Sequence, residues 1–341
     1  MVCEGGINMK KAVKISMIVA GCLMGAGLIS GLIGMTLIGF DFGNIDDPKF
    51  QKVTKIIDRN ENVDKLDRIK IYTISDDIEY KVSEDETLKI EYYASDKIVY
   101  DIDIFDDSNF AKNWENNAGD EYSESTAANR SDHAKDDEEK TPSGDSYGIW
   151  IRQDDERKWY EKIGIHPFSW KNHKLTVYLP QKDYKEFYTE TIAGNVTLNT
   201  KQNINNEVFV YSVSGDISVK NINTKDISVN STSGEITTEN INAKQEFNVT
   251  SISSDITLKN ISTNEEFFIS TTSGDITAEN ISADDFSISA VSGDINATLP
   301  KGLDYHAETT SGDINIPKST QGGKKCTLST VSGDINVEES K

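Results

Sequence analysis

The chain has 341 residues, with 57 Asp and Glu against 35 Lys and Arg, so its formal net charge is −22. A polyanion of this kind is not expected to bind nucleic acid, nor to hold anionic lipid through a basic patch. Its three cysteines, Cys3, Cys22 and Cys326, show neither a disulfide framework nor the spacing of a zinc site.

The N-terminal residues predict a cytoplasmic leader and a membrane anchor. Met1–Asn8 precede a second start at Met9, and we interpret them as a misassigned start, with a genuine short leader as the alternative. Ile15–Phe40 carries no charge, and as a helix it would be about 39 Å long, enough to cross a hydrocarbon core of ~30 Å. Basic residues precede it and acidic residues follow it, which places residues 1–14 in the cytoplasm and the rest outside the cell.

Two details of this transmembrane segment, residues 15–40, bear on its role. Val19-Ala20-Gly21-Cys22 resembles a lipobox, which would make Cys22 a lipidated N-terminus. The apolar stretch before Cys22 is short and a long one follows, so we favour an uncleaved anchor. Gly27, Gly31 and Gly34 share one helix face, where small residues allow close helix approach and so could support a homo-oligomer through that face. We favour the alternative, that glycine is simply common in membrane helices.

Residues 41–65 predict a linker with a short juxtamembrane helix. Asp47-Pro48 is typical of a helix start, and Phe50, Val53 and Ile56 then fall on one side. Residues 66–105 predict the first solenoid strands, because apolar residues alternate with polar ones around Ser75-Asp76-Asp77-Ile78.

Residues 106–148 interrupt this pattern. The segment contains no Ile, Leu, Val or Met and is strongly acidic, so it cannot bury enough apolar surface to order itself. We therefore predict a disordered insertion between strands. Strands that return the chain to the array are predicted over residues 149–186, among them Lys174–Pro180.

Residues 187–337 are a tandem repeat built on Ser-Gly-Asp-Ile. Counted from Asn195, the anchor position advances by 21, 19, 20, 20, 19, 19 and 21 residues. Apolar residues recur one and three positions after the anchor and six and eight before it, which predicts strands with one buried face. The repeat corners comprise Gly215, Asp216, Gly234, Glu235, Asp255, Gly274, Asp275, Gly293, Asp294, Gly312, Asp313, Gly333 and Asp334. A second corner carries Asn then Ile, as at Asn260-Ile261.

The predicted fold is all-β: a parallel β-solenoid, or β-helix-like array, with coils of about 20 residues, preceded by one N-terminal transmembrane helix. One such coil is not stable by itself, because the conformational entropy lost in ordering its backbone exceeds the free energy gained by burying its few apolar side chains. The final strand is followed only by the tail, residues 338–341, so we expect the last coil to lie uncovered. Its charges, Lys324, Lys325, Glu338 and Glu339, would limit pairing with another chain there.

The repeats offer few residues for chemistry. Stacked carboxylates could bind calcium, with Asp275, Asp294 and Asp313 as the weak candidates, but we favour the interpretation that each Asp caps its own turn. His166 and His173 are seven apart without a third ligand, so no metal site is predicted. We predict no catalytic residue and no cofactor. An outward row of hydroxyl and amide side chains could bind glycan hydroxyls, although any exposed strand face carries such residues. The row comprises Ser218, Thr237, Thr257, Thr277, Asn296, Asn315 and Asn336.

The anchor, the phrase Leu175–Pro180 and the repeated Ser-Gly-Asp-Ile resemble the putative-adhesin β-strand-repeat family of bacterial envelope proteins, which includes LiaG-like accessory proteins. The resemblance implies a surface protein without established catalytic residues. We therefore expect a single-pass membrane protein, its C-terminal domain outside a Gram-positive cell, acting as a non-catalytic binding or envelope-stress accessory protein. Its partner would be an envelope protein or a surface glycan. The alternatives are a solenoid enzyme acting on cell-wall or capsular polysaccharide and a purely structural spacer.

Overall fold

Stacked strands wind around one apolar core. The computed structural model describes residues 50–57, 63–106, 147–156 and 173–340. Its strands are β1 (Gln51–Ile57), β2 (Leu66–Thr73), β3 (Asp77–Val82), β4 (Leu88–Ala94), β5 (Ile98–Asp106), β6 (Tyr147–Asp155), β7 (Lys174–Leu179), β8 (Tyr184–Thr191), β9 (Val196–Asn199), β10 (Asn203–Ser214), β11 (Ile217–Ser233), β12 (Ile236–Ala243), β13 (Phe247–Ser253), β14 (Ile256–Thr263), β15 (Glu266–Ser273), β16 (Ile276–Ser282), β17 (Asp285–Ser292), β18 (Ile295–Leu299), β19 (Leu303–Ser311), β20 (Ile314–Asn315), β21 (Lys324–Ser332) and β22 (Ile335–Glu339). In these residues the single helical element is a 3-10 turn at Val63–Lys65.

The parallel strands form two long ladders, one on each side of the Ser-Gly-Asp corners. The first ladder, in spatial order, is β6-β2-β8-β10-β11-β13-β15-β17-β21-β19. The second is β7-β3-β9-β11-β12-β14-β16-β18-β22-β20. Strand β11 belongs to both because it runs without a break from one side of its coil to the other. The predicted parallel β-solenoid is therefore confirmed.

The predicted inward positions are the buried ones. Ile256, one residue after its anchor, is 1% exposed, and Tyr80, in the first coil, is also 1% exposed. Phe247 and Phe267 stack in neighbouring coils with ring centroids 5.3 Å apart. Cys326 lies inward and is fully buried, as its register predicts. The alternation of apolar and polar residues thus reports the core correctly along the repeats, except in the outermost coil, where Ile314 is 42% exposed.

The Asn corner has a specific backbone conformation. Asn221, Asn240, Asn260 and Asn280 all have φ between 55° and 57°, the left-handed region that Asn tolerates better than most residues. Their side chains also form a ladder, in which each amide nitrogen donates to the amide oxygen of the preceding coil at 2.8–3.0 Å. Asn is therefore required here both for its backbone and for its side chain.

Antiparallel strands close the N-terminal end of the array. Strand β4 pairs with β7 and β1, and β5 pairs with β6. The predicted helix after Asp47-Pro48 is therefore wrong, since Gln51–Ile57 is a strand. Most of this segment is β-branched, and pairing with β4 satisfies its backbone, which outweighs a helical pattern only two turns long.

The stacking order at the C-terminal end differs from the chain order. Strand β21 lies between β17 and β19, and β22 lies between β18 and β20. The expectation that the final coil is uncovered is therefore wrong, and the outermost coil is Leu303–Asn315. Lys324 is not an edge charge but pairs with Asp284 at 2.7 Å. Repeats of equal register stack equally well in either order, so the sequence pattern alone does not distinguish them.

Several predictions fall outside the described residues. They are the leader, the membrane helix over 15–40, the Gly27, Gly31 and Gly34 face, and Cys22. Among the residues that the structure describes, no helix is long and apolar enough to cross a bilayer.

The acidic insertion also lies outside them, over residues 107–146. Its two ends, however, are adjacent: Asp106 and Tyr147 are Cα partners in the antiparallel pair of β5 and β6. Deleting Phe110–Ser143 should therefore leave a short hairpin connection and change the melting temperature by only a few degrees, because loop-closure entropy depends weakly on length. Thermal unfolding followed by circular dichroism measures this. A loss of more than about 10 °C would show that the insertion packs on the solenoid.

Candidate functional site

A row of acidic side chains runs along the Ser-Gly-Asp corners, and we call it the acidic ridge. In spatial order it comprises Asp77, Asp216, Glu235, Asp255, Asp275, Asp294, Asp334 and Asp313, with the neutral Asn195 between Asp77 and Asp216. Adjacent coils are about 4.8 Å apart, so like charges repeat at that spacing. From Asp216 onward, the ridge gives this edge of the solenoid a negative potential.

Most ridge carboxylates are held by the next coil rather than by their own turn. The backbone N–H of Asp275 donates to Oδ1 of Asp255 at 2.9 Å, and that of Asp294 donates to Asp275 at the same distance. The prediction that each Asp caps its own turn is therefore corrected. These hydrogen bonds bind one oxygen of each carboxylate to a backbone donor, which offsets part of the repulsion between neighbours.

The corner glycines are required by close backbone stacking. A Cβ on Gly215 would lie 2.3 Å from the carbonyl oxygen of Gly194, and one on Gly293 would lie 2.1 Å from that of Gly274. These glycines also have φ values of 145° and 153°. Glycine therefore lets successive corners approach until the ridge hydrogen bonds can form.

The ridge is irregular at the coil where Ser254 replaces the corner glycine. Here the N–H of Asp255 does not bond the Glu235 carboxylate; that carboxylate instead accepts the Thr237 hydroxyl at 3.3 Å. The hydroxyl of Ser251 donates to Ser254 at 2.6 Å, inside the corner. An open depression of about 390 Å³ lies at this coil, lined by Gly234, Glu235, Ser253, Ser254, Asp255, Ser273 and Gly274. It is wide and polar rather than a cleft with converging groups.

A row of hydroxyl and amide side chains runs beside the ridge, and we call it the polar row. Its members are Cα partners from coil to coil, in the order Ser218, Thr237, Thr257, Thr277, Asn296, Asn336 and Asn315. The predicted row therefore exists, with its last two members exchanged. Asn336 donates to Asn296 at 3.3 Å, so part of its hydrogen-bonding capacity is used within the row.

The three weak calcium candidates are not consecutive. Asp334 lies between Asp294 and Asp313, because the final coil is inserted there. Within the described residues, no group of three or more His, Cys, Asp or Glu side chains is arranged to hold a metal ion. His173 lies in the N-terminal region, where its ring contacts Phe50, and His166 is outside the described residues.

A buried carboxylate near the N-terminal end is a feature that the repeat analysis did not assign. Asp76 stands where other corners have glycine and is 1% exposed. It accepts a hydrogen bond from the Tyr100 hydroxyl of β5. Desolvation by burial raises its pKa, while the Tyr100 hydrogen bond and His173 act in the opposite direction. The sequence did contain a signal for this buried carboxylate: in Ser75-Asp76-Asp77-Ile78 an acidic residue occupies the position that is usually glycine.

Replacing Asp76 with Asn should stabilise the protein at neutral pH. A raised pKa means that the folded state favours the protonated carboxyl. That stabilisation is fully present below the ordinary Asp pKa of 3.8. It is lost as the pH rises through the pKa that Asp76 has in the folded protein. The free energy of unfolding of Asp76→Asn should therefore exceed that of the wild type by an amount that grows with pH. Urea unfolding from pH 3.5 to 8 measures it, with the exposed Asp96→Asn as control. A variant no more stable than wild type at pH 8 would contradict the assignment.

Together, these features define a class: a parallel β-solenoid whose corners and outer rows repeat the same polar chemistry in each coil. The family model described as Toastrack DUF4097 matches residues 114–338. The chain belongs to this family.

Solved structures are similar over most of the chain, at low identity. A putative lipid binding protein from Parabacteroides distasonis is 14% identical with a TM-score of 0.47, covering 87% of this chain and 98% of its own. A putative adhesin from Bacteroides fragilis is 14% identical with a TM-score of 0.43, covering 86% and 98%. A putative cell adhesion protein from Clostridium sporogenes is 13% identical with a TM-score of 0.31, covering 86% and 100%. No curated protein matches the chain.

Proposed function

We propose that this chain is a membrane-anchored, non-catalytic binding protein of the bacterial cell envelope, with its solenoid outside the cell. The charge-free segment Ile15–Phe40, with basic residues before it and acidic residues after it, supports the anchor and its orientation. An accessory role in envelope stress is part of this proposal.

The observation that carries the binding role is the repetition of the polar row beside the acidic ridge. Acid–base catalysis needs a few distinct groups that converge on one cleft. The described coils instead present the same hydroxyl, amide and carboxylate groups at each step of about 4.8 Å. Such a surface suits an extended ligand, and its negative charge disfavours a polyanion. The ligand is therefore a surface glycan of low negative charge or an envelope protein.

A binding experiment with matched variants tests the glycan form of this function. Purified full-length chain is applied to immobilised cell-wall and capsular glycans with calcium present, and both retention and product release are measured. Retention without turnover is expected. Replacing Thr237, Thr257 and Thr277 with Ala should weaken retention about ten-fold, since each removes a hydroxyl from the row. The control replaces Ser270, Ser289 and Ser329 with Ala, which are Cα partners on the outer face of the other ladder.

The other functions predict different results. Product release that a single carboxylate substitution abolishes would establish a glycan-active enzyme. No retention on any glycan, together with specific partners after crosslinking in intact cells, would assign an envelope protein as ligand. If neither a glycan nor a protein partner is found, the chain would be a structural spacer.

The topology is tested separately. Protease added to intact, wall-stripped cells should remove all of the chain beyond Asp41, because the positive-inside rule places that part outside. Immunoblotting with an N-terminal tag follows the loss. Repeats that stay intact while an external control protein is cleaved would overturn the proposed orientation.

A further inference from the structure

The last two coils form a unit that we call the C-terminal cap, residues Leu303–Glu339. Within the described residues, β19 pairs only with β21, and β20 pairs only with β22. Both coils are therefore attached to the rest of the solenoid through one edge, where β21 pairs with β17 and β22 with β18. The loop between the two coils is also internal to the cap, since Thr320 donates to the Leu303 carbonyl at 2.9 Å.

The contacts across this edge are repeat contacts. Phe286 is the Cα partner of Cys326, and Ile288 that of Leu328, in the register that every other coil uses. The N–H of Asp334 donates to Oδ1 of Asp294 at 2.8 Å, as ridge residues do elsewhere. The cap of a second copy of this chain would find the same donors, acceptors and apolar positions on β17 and β18.

The connection into the cap is unusually short for the distance that it covers. Pro300–Gly302 joins β18 to β19, which lies two rungs beyond β17 in the first ladder. The equally long connection Lys244–Glu246 joins β12 to β13 and rises one rung. Two rungs are about 9.6 Å, and the three residues cover this rise with Lys301 and Gly302 in a turn and Gly302 at φ +84°. Short hinges of this kind favour exchange of the attached element between molecules.

We propose that the C-terminal cap is an exchangeable docking element whose partner is the β17/β18 edge of a second copy of this chain. In the exchanged pair, the cap of each molecule seats on the other, and the hinge Pro300–Gly302 runs between them. The cap buries its apolar positions and completes the acidic ridge of the molecule that receives it.

Single-cysteine variants test the exchange directly. Ser289 on β17 and Ser329 on β21 are Cα partners at the cap edge, within the separation that a disulfide spans. Full-length chains carry Cys3→Ser, Cys22→Ala and Cys326→Ala, with either Ser289→Cys or Ser329→Cys. They are mixed, held just below the melting temperature and oxidised mildly. A disulfide-linked dimer of twice the 37.9 kDa chain mass is expected on a non-reducing gel.

The matched control mixes Ser270→Cys with Ser289→Cys, which are Cα partners in β15 and β17, outside the cap. This pair reports collisions between surface thiols, and the cap pair should give about ten-fold more linked dimer, because only the cap is expected to exchange. A single chain with both Ser289→Cys and Ser329→Cys should close within itself, which verifies the register. If that chain closes but the mixed cap pair gives no more dimer than the control, the proposal is wrong.

Discussion

Replacing Ile256 with Asp should lower the free energy of unfolding by more than about 4 kcal/mol, the largest effect expected of any single substitution here. Ile256 is 1% exposed and lies between its Cα partners Ile236 and Ile276, in the middle of the second ladder. A carboxylate at this position would be buried without a partner. Because each coil is stabilised mainly by its two neighbours, the damage should extend over several coils.

Urea unfolding monitored by circular dichroism measures this loss, and limited proteolysis shows how many coils open. The matched control is Thr257→Asp, one residue along the same strand but on the exposed outer face. It should change stability by less than about 1 kcal/mol. Equal effects at Ile256 and Thr257 would show that the strand does not alternate as described.

Replacing Gly274 with Ala should cost about 3 kcal/mol or more. The new Cβ would lie 2.1 Å from the carbonyl oxygen of Ser254, a backbone atom that can move only by separating two coils. The φ of Gly274 is also +134°, a conformation that alanine rarely adopts. Separation of the coils would weaken the hydrogen bond from Asp275 to Asp255 as well.

Gly302→Ala is the matched control for this prediction. Gly302 has φ +84°, but no atom lies within 4 Å of the position its Cβ would occupy. Its substitution should therefore cost about 1–2 kcal/mol, the penalty of the left-handed backbone alone. The difference between the two variants in chemical unfolding measures the close approach of the corners. If both variants lose the same stability, close stacking is not what selects glycine at Gly274.

The proposed binding role and the proposed exchange of the cap are independent. Exchange leaves the polar row of each coil in place, since the receiving molecule gains an equivalent coil. Failure of the cysteine experiment would therefore leave glycan retention unaffected, and failure of glycan retention would say nothing about the cap.

Several parts of the fold could be predicted from residues alone. The anchor spacing of about 20 residues locates each coil, and apolar positions at a period of two identify the buried face, as Ile256 and Tyr80 show. The corner at Asn260 was also recognisable, because Asn tolerates its left-handed backbone. The helix expected after Asp47-Pro48 was wrong because a short apolar pattern fits either structure, and pairing with β4 decided it.

The remaining features depend on which coil lies beside which. Local sequence determined each coil, since strand alternation and corner conformation are settled by residues near in the chain. The tertiary structure alone decided that Asp334 separates Asp294 from Asp313, and that Asp76 is buried beneath Tyr100. Coils with the same register present the same edges, so no local pattern favours one stacking order over another. That choice is made by contacts between coils, and those contacts form only when the array has assembled.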